Sequence, residues 1–208
     1  MRWTLQSEIL ADAPGKIAEF NRIGLHYNLV ANQIYKKRFA GSTDPFDDSF
    51  LRYIVAGLIA FDMGRAGMMG DKPYELKGNF FFLRLKSKLE DLGQWLKPII
   101  DLGLTQIKFQ EHRDRIIKIY NSLLVGGQGA LHERGSNFHA GTTKILHFLN
   151  PQFFIMVDSN AARAFRLAHN VPFRNATQPG YSAERYVNCM EYARMDILAY
   201  GLEKFQAL

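Results

Sequence analysis

Ile107 to Leu124 can only be a helix with one face buried. Phe109, Ile116, Ile117, Tyr120 and Leu124 recur at helical spacing, opposed by Glu111, Arg113, Asp114 and Lys118, the mark of an amphipathic helix on a core. The same spacing runs from Leu5 to Phe39, with a break near Pro14 and Gly15 and a basic end at Lys36, Lys37 and Arg38 that suits a solvated helix C-terminus. Asp44 before Pro45 predicts an N-cap with proline at the first helical position, opening a buried helix through Phe50 to Phe61. Asn79 to Leu92 predicts another, with Phe80, Phe81 and Phe82 beside Arg84, Lys86 and Lys88; the terminal helix spans Ser182 to Phe205, capped by Ser182. No stretch alternates apolar and polar residues as a half-buried strand must. The expected fold class is all-α, a two-lobed helical bundle forming a single domain over 1–208.

Composition narrows the classes of function. The apolar run Ile54 to Phe61 is far shorter than the roughly 20 residues a membrane span needs, and the N-terminus meets Glu8 and Asp12 before any signal-length apolar core. A membrane partner is not expected. A single cysteine, Cys189, excludes an internal disulfide framework and a cysteine-built zinc site and suits a reducing cytoplasm. The net charge of +6 favours polyanionic partners. Lys108, Arg113, Arg115, Lys118, Arg134, Lys144, Arg163, Arg166 and Arg174 concentrate that charge in the half that also carries the candidate chemistry.

That chemistry lies in Ser136 to Phe165. A Walker A loop is excluded, because Gly141 is followed by Thr142, Thr143 and only then Lys144. Gly126 to Gly129 lacks the spacing and the leading strand of a dinucleotide fingerprint. What remains is a glycine turn at Gly141 feeding a helix, with the amides of Thr142, Thr143 and Lys144 expected to face a phosphate; a plain helix cap explains the threonines equally well. Pro151 stops that helix, Phe153 to Val157 is apolar, and Asp158 stands before the helical pattern Ser159 to Phe165. Asp158 reads as either an N-cap or a reactive carboxylate.

In their order these residues resemble the helix-hairpin-helix (HhH-GPD) DNA glycosylase superfamily over about thirty residues. Gly141 matches the last hairpin glycine, and Val157, Asp158, Ser159, Asn160 and Arg163 match the family's apolar residue, catalytic aspartate, small residue, polar residue and arginine. His139 stands where the first hairpin glycine would be. The interval from Gly141 to Asp158 is about one helical turn shorter than the family's. Where bifunctional members carry a lysine this chain has Thr143, with Lys144 one position later.

The resemblance implies extrusion of a base from duplex DNA and cleavage of its N-glycosidic bond. Asp158 would stabilise the sugar cation or orient water. Lys144 would pair with a phosphate or form a Schiff base at C1′, which leaves lyase activity open. His139, Gly141, Thr142, Thr143, Ser159, Asn160 and Arg163 would hold the DNA. The implied partner is double-stranded DNA, the implied setting the cytoplasmic nucleoid, and the expected state a monomer. No cofactor or catalytic metal is expected, since His132, His139 and His147 do not form a metal triad; hairpin carbonyls would at most hold Na+ or K+. Trp3, Tyr27, Phe80 and Trp95 are candidates for the base pocket, and Met63, Met68 and Met69 for an adaptable lining or simple core. A noncatalytic DNA-binding module and a helical protein-interaction or toxin-like domain are the alternatives.

Overall fold

The computed structural model describes residues 14, 15, 18, 25–39, 44–61, 74–124, 138–172 and 181–203. These contain seven long helices and no strand: α1 (Leu25–Phe39), α2 (Asp48–Phe61), α3 (Tyr74–Leu96), α4 (Phe109–Leu124), α5 (His139–Leu149), α6 (Ser159–His169) and α7 (Ala183–Tyr200). The fold is an all-α bundle. Trp3, the three methionines, the glycine-rich 125–137 stretch, His132, Arg134 and Arg174 lie outside the described residues, and the Tyr27 and Phe80 side chains lie outside what is described of α1 and α3.

Helix boundaries follow local chemistry. Pro45 does not begin α2; it sits in a turn closed by Asp47 N to Asp44 O (2.9 Å) and Phe46 N to Asp44 Oδ1 (2.9 Å). Asp47 is the cap instead, accepting Phe50 N at 3.0 Å, because a proline followed closely by a second aspartate lets the chain turn once more before the helix starts. α3 is longer than its sequence pattern suggested. α6 stops where Asn170 takes a left-handed conformation, φ 55°, and its N–H returns to Arg166 O. Ser182 caps α7 as expected, accepting Arg185 N at 3.2 Å.

The core is one contiguous cluster to which all seven helices contribute. Its axis is α5, which packs against α1, α2 and α4 and buries Gly141, Thr142, Thr143, Ile145, Leu146, Phe148 and Leu149. α2, expected to be a buried helix, exposes Arg52, Tyr53 and Ala56 to solvent. Phe81 and Phe82, from the aromatic start of the predicted Asn79–Leu92 helix, are core residues.

Buried polar groups anchor α5. Arg38 does not end in a solvated cap. It is buried, with Nε on Leu149 O at 2.8 Å and Nη2 on Ile100 O and the Asp101 carboxylate, so one guanidinium caps the C-terminus of α5 and ties α1 to the turn after α3. Asn150 adds a second tie, through Nδ2 to Leu102 O (2.8 Å) and Oδ1 from Gln152 N (2.9 Å). A neutral His147 forms the third. Its Nδ1–H donates to Phe154 O at 2.7 Å, and Nε2 accepts from the Tyr35 hydroxyl at 2.8 Å. Burial holds the imidazole below its ordinary value and pushes Tyr35 up to about 12.

Candidate functional site

Asp158 reaches its position because the chain doubles back along α5. After α5 the peptide turns through Pro151, buries Phe153 and Phe154, and runs extended to Asp158. Phe154 is fastened to His147 and Val157 to Thr143, so the extended run descends α5 toward its N-terminus. Asp158 therefore begins α6 at the end of the bundle where α5 also begins. Asp158 is the only carboxylate in the sequence between the first residues of the two helices, His139 and Ser159.

The carboxylate uses one oxygen for the fold. Oδ1 accepts both Asn160 N and Ala161 N at 2.9 Å, which satisfies two amides of the first turn. Among the described residues no group bonds Oδ2. Asp158 is thus an N-cap with an uncommitted oxygen on a half-buried side chain, and the two sequence readings of it are compatible. Ser159, Asn160 and Arg163 are exposed on the outer face of α6.

The first turn of α5 differs from expectation. The helix starts at His139, three residues before the predicted amide donors, and its first internal bond runs from Thr142 N to Phe138 O at 2.8 Å. The amides lacking an intrahelical acceptor are therefore those of His139, Ala140 and Gly141, not those of Thr142, Thr143 and Lys144. Gly141 is not a hairpin turn residue: among the described glycines only Gly201 has positive φ. A Cβ at Gly141 would collide with the Phe138 ring, which folds over the first turn and contacts Phe81 at 5.8 Å. The ring packing requires the glycine.

Thr142 and Thr143 face inward, 0% and 1% exposed, so neither hydroxyl meets a ligand in this conformation. Among the described residues Thr142 Oγ1 has no hydrogen-bond partner. Thr143 Oγ1 accepts Val157 N at 3.2 Å and has Ala140 O at 3.1 Å and Val157 O at 3.2 Å as acceptors for its proton. Lys144, the next residue round the helix, is half-buried.

An aromatic group supports the same end. His139 Nδ1 lies 2.8 Å from the Tyr120 hydroxyl, its ring centroid 5.2 Å from that of Tyr181, and Tyr120 stacks on Tyr186 at 4.9 Å. Burial raises the Tyr120 hydroxyl well above its ordinary value, which keeps it a neutral phenol able to share a proton with the imidazole. Tyr186 Oη donates to Ile155 O at 3.1 Å and so fixes the extended run from the α7 side. Sequence reasoning missed Tyr120, Tyr181 and Tyr186; Tyr120 alone left a trace, as the polar-tipped member of an apolar face.

Other candidates separate from the site. Trp95 is half-buried with the Lys118 ammonium 3.8 Å over its ring, and Arg113 shares both Nη atoms with Asn188 Oδ1 at 3.2 Å. Cys189 is buried, its thiol pushed up to about 12 by burial, a core residue rather than a nucleophile. No group of three His, Cys, Asp or Glu side chains suited to a metal occurs among the described residues. No described helix is long and apolar enough to cross a membrane. Compared with protein-family models, curated proteins and solved structures, the chain matches none.

Proposed function

We propose that the chain is a DNA glycosylase of helix-hairpin-helix type, acting on a base extruded from double-stranded DNA. The observation that carries this reading is Asp158: a half-buried carboxylate with one oxygen committed to capping α6 and, among the described residues, no partner on the other, at the end of a run fastened to α5 between Val157 and Thr143. A carboxylate so held can stabilise positive charge on a deoxyribose as the C1′–N bond breaks and its electron pair leaves with the base. Water then adds to C1′, its proton passing to the carboxylate and from there to the departing base, which regenerates the carboxylate. Lys144, Ser159, Asn160 and Arg163, with the amides at the start of α5, are suited to the DNA backbone. Thr142 and Thr143 are withdrawn from that role by their burial. No cofactor is needed.

Asp158→Asn tests this. Asparagine caps a helix nearly as well as aspartate, so the variant keeps the fold and loses only the charge. Base release from a panel of duplexes carrying alkylated, oxidised, deaminated and bulky modified bases should fall by roughly 10²-fold or more, with duplex affinity unchanged. Release at the wild-type rate would make Asp158 a cap alone and leave a noncatalytic DNA-binding module as the better reading.

A further inference from the structure

We infer that Thr143 is the positioning residue for Asp158, a role that rests on the glycosylase reading for its catalytic consequence but not for its geometry. Thr143 Oγ1 is the point at which the backbone just before Asp158 is attached to α5. It accepts the Val157 N–H at 3.2 Å, and its single proton goes to Ala140 O at 3.1 Å or Val157 O at 3.2 Å. The hydroxyl therefore stands in for a backbone partner, pairing an extended residue to a helix as a neighbouring strand would.

Three features make this attachment a determinant of position. Thr143 is 1% and Val157 1% exposed, so water does not substitute for the bond if the hydroxyl is removed. Val157 is the residue immediately before Asp158, so movement of its peptide translates directly into the carboxylate. Thr143 is also the residue immediately before Lys144, and Ala140 lies in the first turn of α5. One side chain thereby fixes the carboxylate relative to both the lysine and the helix end. The remaining ties on the extended run, His147 to Phe154 O and Tyr186 to Ile155 O, act two or more residues further from Asp158.

The test uses Thr143→Val, which keeps shape and removes the hydroxyl, and Thr143→Ser, which keeps the hydroxyl. Amide hydrogen exchange is measured on the intact chain. In the valine variant the amides of Val157, Asn160 and Ala161 should exchange faster, while those inside α7 keep wild-type protection; the serine variant should match wild type at all of them. On the duplex panel, kcat for base release should fall about 10²-fold in Thr143→Val, the scale expected of a small misplacement of a reacting group, with duplex Kd unchanged and serine restoring the rate. Unchanged exchange at Val157, a loss of protection spread evenly over α7, or a serine variant as impaired as valine would each overturn the inference. If wild-type protein releases no base from any duplex, the glycosylase reading fails by itself, and the exchange pattern still decides the role of Thr143.

Discussion

At the scale of single residues, adjacent threonines of like composition have opposite energetics. Thr143 satisfies its hydroxyl within the fold, whereas Thr142 holds Oγ1 wholly buried with no partner among the described residues. A buried hydroxyl that makes no hydrogen bond has given up its hydration without compensation. Thr142→Val should therefore stabilise the protein by about 1 kcal/mol, read as a rise of about 2–4 °C in Tm for a chain of this size. A fall in Tm, or weaker duplex binding, would mean that the hydroxyl has a partner in solution. From sequence the two positions were indistinguishable, since both are threonines beside a glycine at a helix start. Only the register of α5, beginning at His139 rather than at Gly141, decides which way each points. Arg38 is a similar case. A cation at the end of a run of three reads as solvated, and nothing local reveals that Leu149 O and Asp101 await it across the fold.

At the scale of elements, what was legible depended on the range of the interactions that fix it. The existence of the helices follows from three-and-four spacing, and the caps at Ser182 and Asp158 from local side-chain chemistry, so these could be read directly. The centrality of α5 and the descent of 154–158 along it depend on pairings between distant residues, and no sequence period encodes them. His147 is the clearest of these pairings, joining α1, α5 and the extended run through Tyr35 and Phe154. Its folded-state pKa is depressed below 6.5 by burial, so below that pH the unfolded chain binds a proton that the folded chain resists. Stability should then be at its full value above about pH 6.5 and decline as the pH falls through and below it. Comparing denaturant midpoints at pH 7.5 and 5.5 for wild type and His147→Gln isolates the effect from the carboxylates, which titrate in both. The glutamine variant should be weaker at pH 7.5 but lose less stability on acidification. Equal losses in the two proteins would exclude His147 as the source.

At the scale of the whole molecule, the net charge of +6 overstates the cations open to a phosphate backbone. Arg38 is buried against Asp101, Lys86 pairs with Asp48 at 2.8 Å, Lys108 lies 3.4 Å from Glu111, Arg113 holds Asn188, and Lys118 and Arg52 sit over Trp95 and Phe82 at 3.8 Å and 4.2 Å. Some of these contacts are exposed and exchange easily for phosphate, but they mean that the affinity of a duplex reports a small contact set rather than the net charge. The cations nearest Asp158 in the chain are Lys144, Arg163 and Arg166, of which Lys144 and Arg166 also hold contacts within the fold, with the helix amides adding donors but no counterion release. The logarithm of duplex affinity against the logarithm of salt concentration should accordingly fall with a slope of about −3, near 0.9 for each phosphate neutralised. Arg163, exposed on the outer face of α6, should contribute about one unit of it, so Arg163→Ala should flatten the slope to about −2 while leaving Tm unchanged. A slope near zero would remove duplex DNA as the partner. A slope unaltered in Arg163→Ala would move the binding face away from α6, and with it the case that Asp158 meets a deoxyribose.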